Sequence, residues 1–321
     1  MRILIIRGGA VGDFIVTLPA IGMLRKAWPD AFIEIMCRTP VLSLAVGRYY
    51  ADQGRSIEDP LLAPFYVANA VLPEKAAAYF ASFDLIVSYL PDPDGVFHGN
   101  LVRCGFEQGG NSTGRPVMGR GGKKYLLRGD SQNFTRPAAA GLCQPLAWLG
   151  LQAVSYASRV YPSVEDRAAA GEIMGVGEGM TVVIHPGSGS AKKNWPLANW
   201  VKVCSYLVEK RNARLYLVGG EAEADLLPEM STRMSFPHRL IHDCPLSICA
   251  AVLERCDLFL GHDSGISHLA AAVGANCLLL FGPSDPEIWA PPGKKVKVIR
   301  GGVFMDAISL SAVREEIDAF L

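Results

Sequence analysis

The sequence predicts an α/β protein of two Rossmann-like domains, residues 1–162 and 163–321, each built on a parallel sheet. Three observations carry that expectation. The chain has 321 residues, half of them hydrophobic, which is more than one core usually serves. Short apolar runs alternate with helix-length segments in both halves. The segments after several of these runs are rich in glycine, hydroxyls and charge, as ligand loops at the carboxyl ends of parallel strands are. Two such domains are expected to bind ligands in a cleft between them.

Taken in order, Ile3 to Ile6 is the first strand, Gly8 to Gly12 a loop and Phe14 to Trp28 a helix. Pro19 predicts that this helix starts late or kinks, because proline removes a backbone donor and clashes one turn back. Ala31 to Cys37 and Leu85 to Tyr89 are further strands, and Val96 to Gln132 reads as a glycine-rich, basic loop region. Val164 to Met174 is a helix opening the second domain. Strands are then expected at Thr181 to Ile184, Arg214 to Val218, Asp257 to Leu260 and Cys277 to Phe281, with a terminal helix from Leu310 to Leu321.

A formal net charge of zero gives no global attraction to nucleic acid. The start lacks the long apolar region of a signal peptide, and the longest mainly apolar stretch, Leu269 to Phe281, is too short to span a bilayer. A cytoplasmic protein is expected. Eight dispersed cysteines without a C-x-x-C pair fit buried thiols rather than a disulfide framework or a zinc site, so no metal ligands are assigned.

Four loops offer chemistry. Gly8 to Asp13 places backbone amides and one carboxylate after the first strand; Asp13 reads equally as a helix cap or a catalytic base. A phosphate cradle of an NADP-dependent oxidoreductase, with Arg38 after the second strand, is a rival, although the G-x-G-x-x-G spacing is absent and an anion there repels a pyrophosphate. His185 to Pro196 combines Ser188, Gly189, Ser190, Lys192 and Lys193, the ingredients of a diphosphate site or of an ordinary turn with solvated lysines. Gly219-Gly220-Glu221 offers an acid to a ribose or base, or a helix cap. Gly261 to His268 holds Asp263, Ser264 and Gly265 at a helix start, with His268 in the first turn as a donor contact or a packed core residue. A serine hydrolase needs G-x-S-x-G and a distant histidine, and this loop has neither.

In this order and spacing the loops resemble glycosyltransferase family nine, the ADP-heptose:lipopolysaccharide heptosyltransferases. The carriers are Ile5-Ile6-Arg7, Gly12-Asp13, Leu18-Pro19-Ala20, His185-Pro186-Gly187-Ser188, Lys193-Asn194-Trp195-Pro196, Asp263-Ser264-Gly265, His268-Leu269-Ala270-Ala271 and Phe281-Gly282-Pro283-Ser284-Asp285-Pro286. The resemblance implies a GT-B fold, two Rossmann-like domains with parallel sheets facing across a cleft, and a terminal helix returning to the first domain. It implies an inverting transferase with no obligatory cofactor or metal and an ADP-sugar, ADP-heptose above all, as donor substrate.

On that resemblance Asp13 is the general base, and Lys193 with Ser188 and the amides of Ser264 and Gly265 holds the diphosphate. Gly189, Ser190 and Lys192 complete the donor loop, Glu221 contacts the nucleoside, and Asp263 and His268 orient the sugar. The acceptor is a lipopolysaccharide-core or other glycan, for which Gly12, Arg115, Arg120, Lys123 and Lys124 are the candidate contacts. The same basic run is a candidate for an anionic membrane surface at the cytoplasmic face of the inner membrane, or a solvated loop. His262 departs from the family, which commonly has Asn there, and Tyr49 to Gln132 matches no acceptor pattern. A nucleotide-binding protein without turnover is a further alternative.

Overall fold

The computed structural model describes residues 1–109, 122–132, 134–135 and 137–320. The chain divides into two compact units, Met1–Tyr156 and Ala157–Leu321. Each contains one six-stranded parallel sheet.

In the first unit the strands are β1 (Arg2–Ile6), β2 (Phe32–Cys37), β3 (Gln53–Ser56), β4 (Leu85–Ser88), β5 (Glu107–Gln108) and β6 (Tyr125–Arg128), ordered β3-β2-β1-β4-β6-β5. Ile3 to Ile6 are fully buried, because helices on both faces leave a central parallel strand no solvated side. The helix expected over Phe14 to Trp28 is two pieces, Val11–Ile15 and Leu18–Ala27. Pro19 lies in the first turn of the second piece, where its missing N–H costs nothing. The region from Val96 to Gln132 is not all loop: Val96–Arg103 is helical, and β5 and β6 pair with each other.

The second unit contains β7 (Thr181–His185), β8 (Arg214–Gly219), β9 (His238–His242), β10 (Leu258–His262), β11 (Cys277–Phe281) and β12 (Val296–Arg300), ordered β12-β11-β10-β7-β8-β9. The helix Val164–Met174 starts at a capping box: Ser163 Oγ accepts from the Asp166 N–H at 3.1 Å, and the Ser163 N–H donates to Asp166 Oδ2 at 2.6 Å. The terminal helix Leu310–Phe320 buries Val313 and Ile317 in the core of this second unit, against Trp200, Val203 and Leu207.

Strand order reverses between β1 and β4 in the first unit and between β7 and β10 in the second. The loops leaving those strands are the switch points where doubly wound sheets bind ligands. All eight cysteines are free thiols, six of them buried. Among the described residues no helix is long and apolar enough to cross a membrane.

Candidate functional site

The switch point of the second unit gathers most of the expected donor residues. Lys193 leaves the β7 loop and Asp263 follows β10; they are 70 positions apart, and Lys193 Nζ donates to Asp263 Oδ2 at 2.6 Å. Asp263 is nearly buried and Lys193 one-third exposed, so the ammonium faces its partner on one side and solvent on the other. Directly after Asp263, Ser264 caps the helix Gly265–Ala272 by accepting from the Ser267 N–H at 3.3 Å. That helix starts at the carboxyl edge of the sheet beside the lysine, where its amide dipoles favour an anion. His268 is buried in its first turn.

The β7 loop is held from inside. Ser188 is buried; its Oγ accepts from the Ser190 N–H at 3.3 Å and lies 2.8 Å from the Ser190 carbonyl and 2.7 Å from Asn194 Oδ1, so its single proton serves one of them. It shapes the loop, while Gly189, Ser190 and Lys192 are exposed on it. His262, at the end of β10, ties the loop at two points. Its Nε2 accepts the Trp195 N–H at 2.9 Å, and its Nδ1–H donates to the Gly187 carbonyl at 3.3 Å. Burial pushes the His262 pKa down to about 3, so the ring is neutral, as this one-donor, one-acceptor role requires.

Glu221 is exposed at the end of β8, whereas Glu223 is buried and takes the Gly220 N–H at 3.0 Å on Oε2. Glu223 lies so close to the β7 loop that a Cβ on Gly187 would sit 2.3 Å from its Cγ and Oε1, which only glycine permits. His185 donates from Nδ1 to the Val218 carbonyl at 2.8 Å, and burial lowers its pKa against the opposing charge of Glu223. Sequence reasoning singled out neither Glu223 nor His262 for this scaffold. Their signal is a polar residue at or just beyond the end of an otherwise apolar strand.

In the first unit, Asp13 lies in the helix after β1. Its Oδ2 accepts from the Ala10 N–H at 2.9 Å and its Oδ1 from Arg7 Nη2 at 3.0 Å, so the cap and an ion pair coexist on one carboxylate that is one-third exposed. Gly9 has φ of +94°, and a Cβ there would lie 2.6 Å from Asp13 Oδ2. The carboxylate therefore covers the glycine loop where a dinucleotide pyrophosphate would have to lie. Arg38, the other support of the oxidoreductase reading, is exposed and 3.9 Å from Glu58.

The expected acceptor residues among the described ones are dispersed. Gly12 sits in the Asp13 helix, and Arg115 and Arg120 lie outside the described residues. Lys123 pairs with Glu107 Oε1 at 3.0 Å, and Lys124 Nζ donates to the Ala81 carbonyl. Both lysines precede β6, and the sheet is parallel, so they occupy the edge opposite to the Asp13 loop. Arg128, at the far end of β6, is on the Asp13 edge. It borders a cavity of about 330 Å³ with Leu90, Asp92, Asp130, Ser131 and Gln132, a mixture of donors and acceptors. The cavity wall is anchored by Asp92, which accepts the N–H groups of Phe97 at 3.1 Å and His98 at 3.0 Å and the ring of His98. Burial would raise the Asp92 pKa, but these bonds outweigh it and hold the carboxyl below its ordinary range.

A model of the family described as glycosyltransferase family 9 (heptosyltransferase) matches residues 142–312. Lipopolysaccharide heptosyltransferase 2 of Escherichia coli is 24% identical over 323 residues, covering 94% of this chain and 88% of the relative. A solved glycosyltransferase family 9 protein from Veillonella parvula superposes with a TM-score of 0.81 at 19% identity, over 99% of this chain and 96% of that one. An E. coli heptosyltransferase solved with ADP gives a TM-score of 0.70 at 17% identity, over the full length of both chains.

Proposed function

Because the chain belongs to glycosyltransferase family 9 and has the GT-B fold, we propose that it transfers a heptose from ADP-heptose to a hydroxyl of a lipopolysaccharide-core acceptor, with inversion. The observation that carries this reading is the convergence at the second switch point of Lys193, Asp263 and the helix start at Ser264, a cation and amides suited to a leaving diphosphate. Relatives named as lipopolysaccharide heptosyltransferases, and a neighbour solved with an ADP-fluoroheptose, support the donor and acceptor classes.

In the proposed reaction the acceptor oxygen attacks the anomeric carbon and Asp13 takes its proton. The new carbon–oxygen bond forms as the bond to the β-phosphate oxygen breaks, and ADP leaves with that electron pair. Lys193 and the Ser264–Gly265 amides stabilise the charge growing on the leaving group. Asp263 is freed from Lys193 to contact the sugar, and His268 supports it from the first helical turn. Ser188 acts on the loop rather than on the phosphates, Gly189, Ser190 and Lys192 line its open side, and the exposed Glu221 is available to the nucleoside. For the acceptor, Arg128 and the cavity beside it replace Lys123 and Lys124, because they share the Asp13 edge of the sheet. The acceptor is lipid-linked in this reading, so the enzyme works at a membrane surface.

The test is ADP release from ADP-heptose in the presence of core lipopolysaccharide stripped of its outer sugars. Asp13→Asn is expected to lower turnover by about a hundred- to ten-thousandfold, the range of a positioned base, with ADP affinity unchanged. Turnover equal to that of the native enzyme would remove Asp13 from the base role.

A further inference from the structure

We propose that Arg7 is a positioning residue for the base, a single guanidinium that fixes both the backbone and the carboxylate of Asp13. The inference rests on Asp13 being the base. Arg7 directly follows β1 and its buried run Ile3 to Ile6, and only 3% of its side chain is exposed. Its Nε donates to the Asp13 carbonyl at 3.0 Å, its Nη2 to Asp13 Oδ1 at 3.0 Å and its Nη1 to the Tyr89 carbonyl at 3.4 Å. The fork thus joins the loop after β1 to the end of β4, the two strands that flank the switch point. Thr17 Oγ1 adds a second donor to the Asp13 carbonyl at 2.8 Å.

A buried arginine costs desolvation, and burial lowers the Arg7 pKa, with the charge of Asp13 opposing. Fold stability alone is served as well by an apolar side chain at the end of a central strand. What an apolar side chain cannot do is select one carboxylate rotamer. With Oδ2 on the Ala10 N–H and Oδ1 on Arg7, each oxygen has one fixed donor and keeps lone-pair capacity for an incoming hydroxyl proton. The gain lies in orientation, where a misplacement of about 1 Å costs about a hundredfold.

The experiment compares Arg7→Met, Arg7→Lys, Asp13→Asn and the double variant Arg7→Met/Asp13→Asn in the ADP-release assay. Arg7→Met is expected to lower kcat about ten- to a hundredfold, with the acceptor KM within about twofold of native, and to add no further loss in the Asp13→Asn background. Arg7→Lys keeps the charge without the fork and is expected to lie between. A crystal structure of Arg7→Met, or of Arg7→Lys should the former not fold, is expected to show Asp13 in more than one rotamer. A native-like Asp13 rotamer, an unchanged kcat, or losses that multiply in the double variant would each overturn the positioning role. Full activity of Asp13→Asn would instead sink the base assignment on which it stands.

Discussion

Replacing Lys193 with Met removes the ammonium while keeping most of the side-chain volume. That ammonium donates to Asp263 Oδ2 at 2.6 Å. A diphosphate must take it over or share it. A hydrogen bond to a charged group is worth about 1.5–3 kcal/mol, and the partial exposure of Lys193 places it at the low end. About 1.5–2 kcal/mol corresponds to roughly a ten- to thirtyfold weaker Kd for ADP in Lys193→Met. Asp263→Asn acts with the opposite sign. It removes the competing charge and leaves the ammonium free, so ADP, which lacks the sugar that Asp263 would contact, is expected to bind as well as to native protein or up to about tenfold tighter. Calorimetric titration of both variants with ADP measures this, with UDP, GDP and NADPH as controls on the native protein. An unchanged Kd in Lys193→Met refutes the diphosphate role. An Asp263→Asn loss as large as that of Lys193→Met means that the carboxylate holds the lysine in place rather than competing for it. NADPH binding without a response to nucleoside diphosphates would return the functional site to the first unit.

Two further perturbations test the scaffold. Gly187→Ala forces a Cβ to within 2.3 Å of Glu223 and is expected to destabilise by about 1–3 kcal/mol, seen as a lower Tm. Adding Glu223→Ala makes room but strands the Gly220 N–H, so the double variant should lose less than the sum of the two single losses. The second is a pH dependence set by His262. Its folded pKa, about 3, lies below the ordinary value near 6.5, so the unfolded chain binds the extra proton between them. Stability should therefore be full above about pH 6.5 and fall on acidification at up to about 1.4 kcal/mol per pH unit. Urea melts across that range should show a shallower slope for His262→Asn; an identical slope would mean that the ring is not held neutral by the fold. Burial lowers the pKa of His98 and His185 too, so part of the slope remains in the variant.

The central strands were legible in the sequence because a strand buried on both faces must be apolar throughout. Ile3 to Ile6, Thr181 to Ile184 and Cys277 to Phe281 all lie within strands of the structure. The edge strands were not. Gln53–Ser56 and His238–His242 carry polar residues along most of their length, since an edge strand needs a backbone partner but not an apolar surface. Val296–Arg300, the other edge of the second sheet, escaped for the same reason, its lysine and arginine interrupting the apolar pattern. The helix Val96–Arg103 was hidden among glycines and charges, and its first turn is organised by Asp92, a residue outside it.

For the site, the order of residues along the chain is enough to say which residue types stand in which loops, because loop chemistry after a strand is local information. It therefore brought out Asp13, Lys193, Asp263 and Ser264. What these groups do to one another depends on the folded chain. It paired Lys193 with Asp263 across 70 residues, joined Arg7 to Asp13, and gave the buried carboxylate role to Glu223 rather than Glu221. It also separated Lys123 and Lys124 from Arg128 although six positions span all three, because a strand of a parallel sheet carries its two ends to opposite edges. Proximity along the chain and proximity at a site are different quantities wherever a strand lies between, and only the folded sheet converts one into the other.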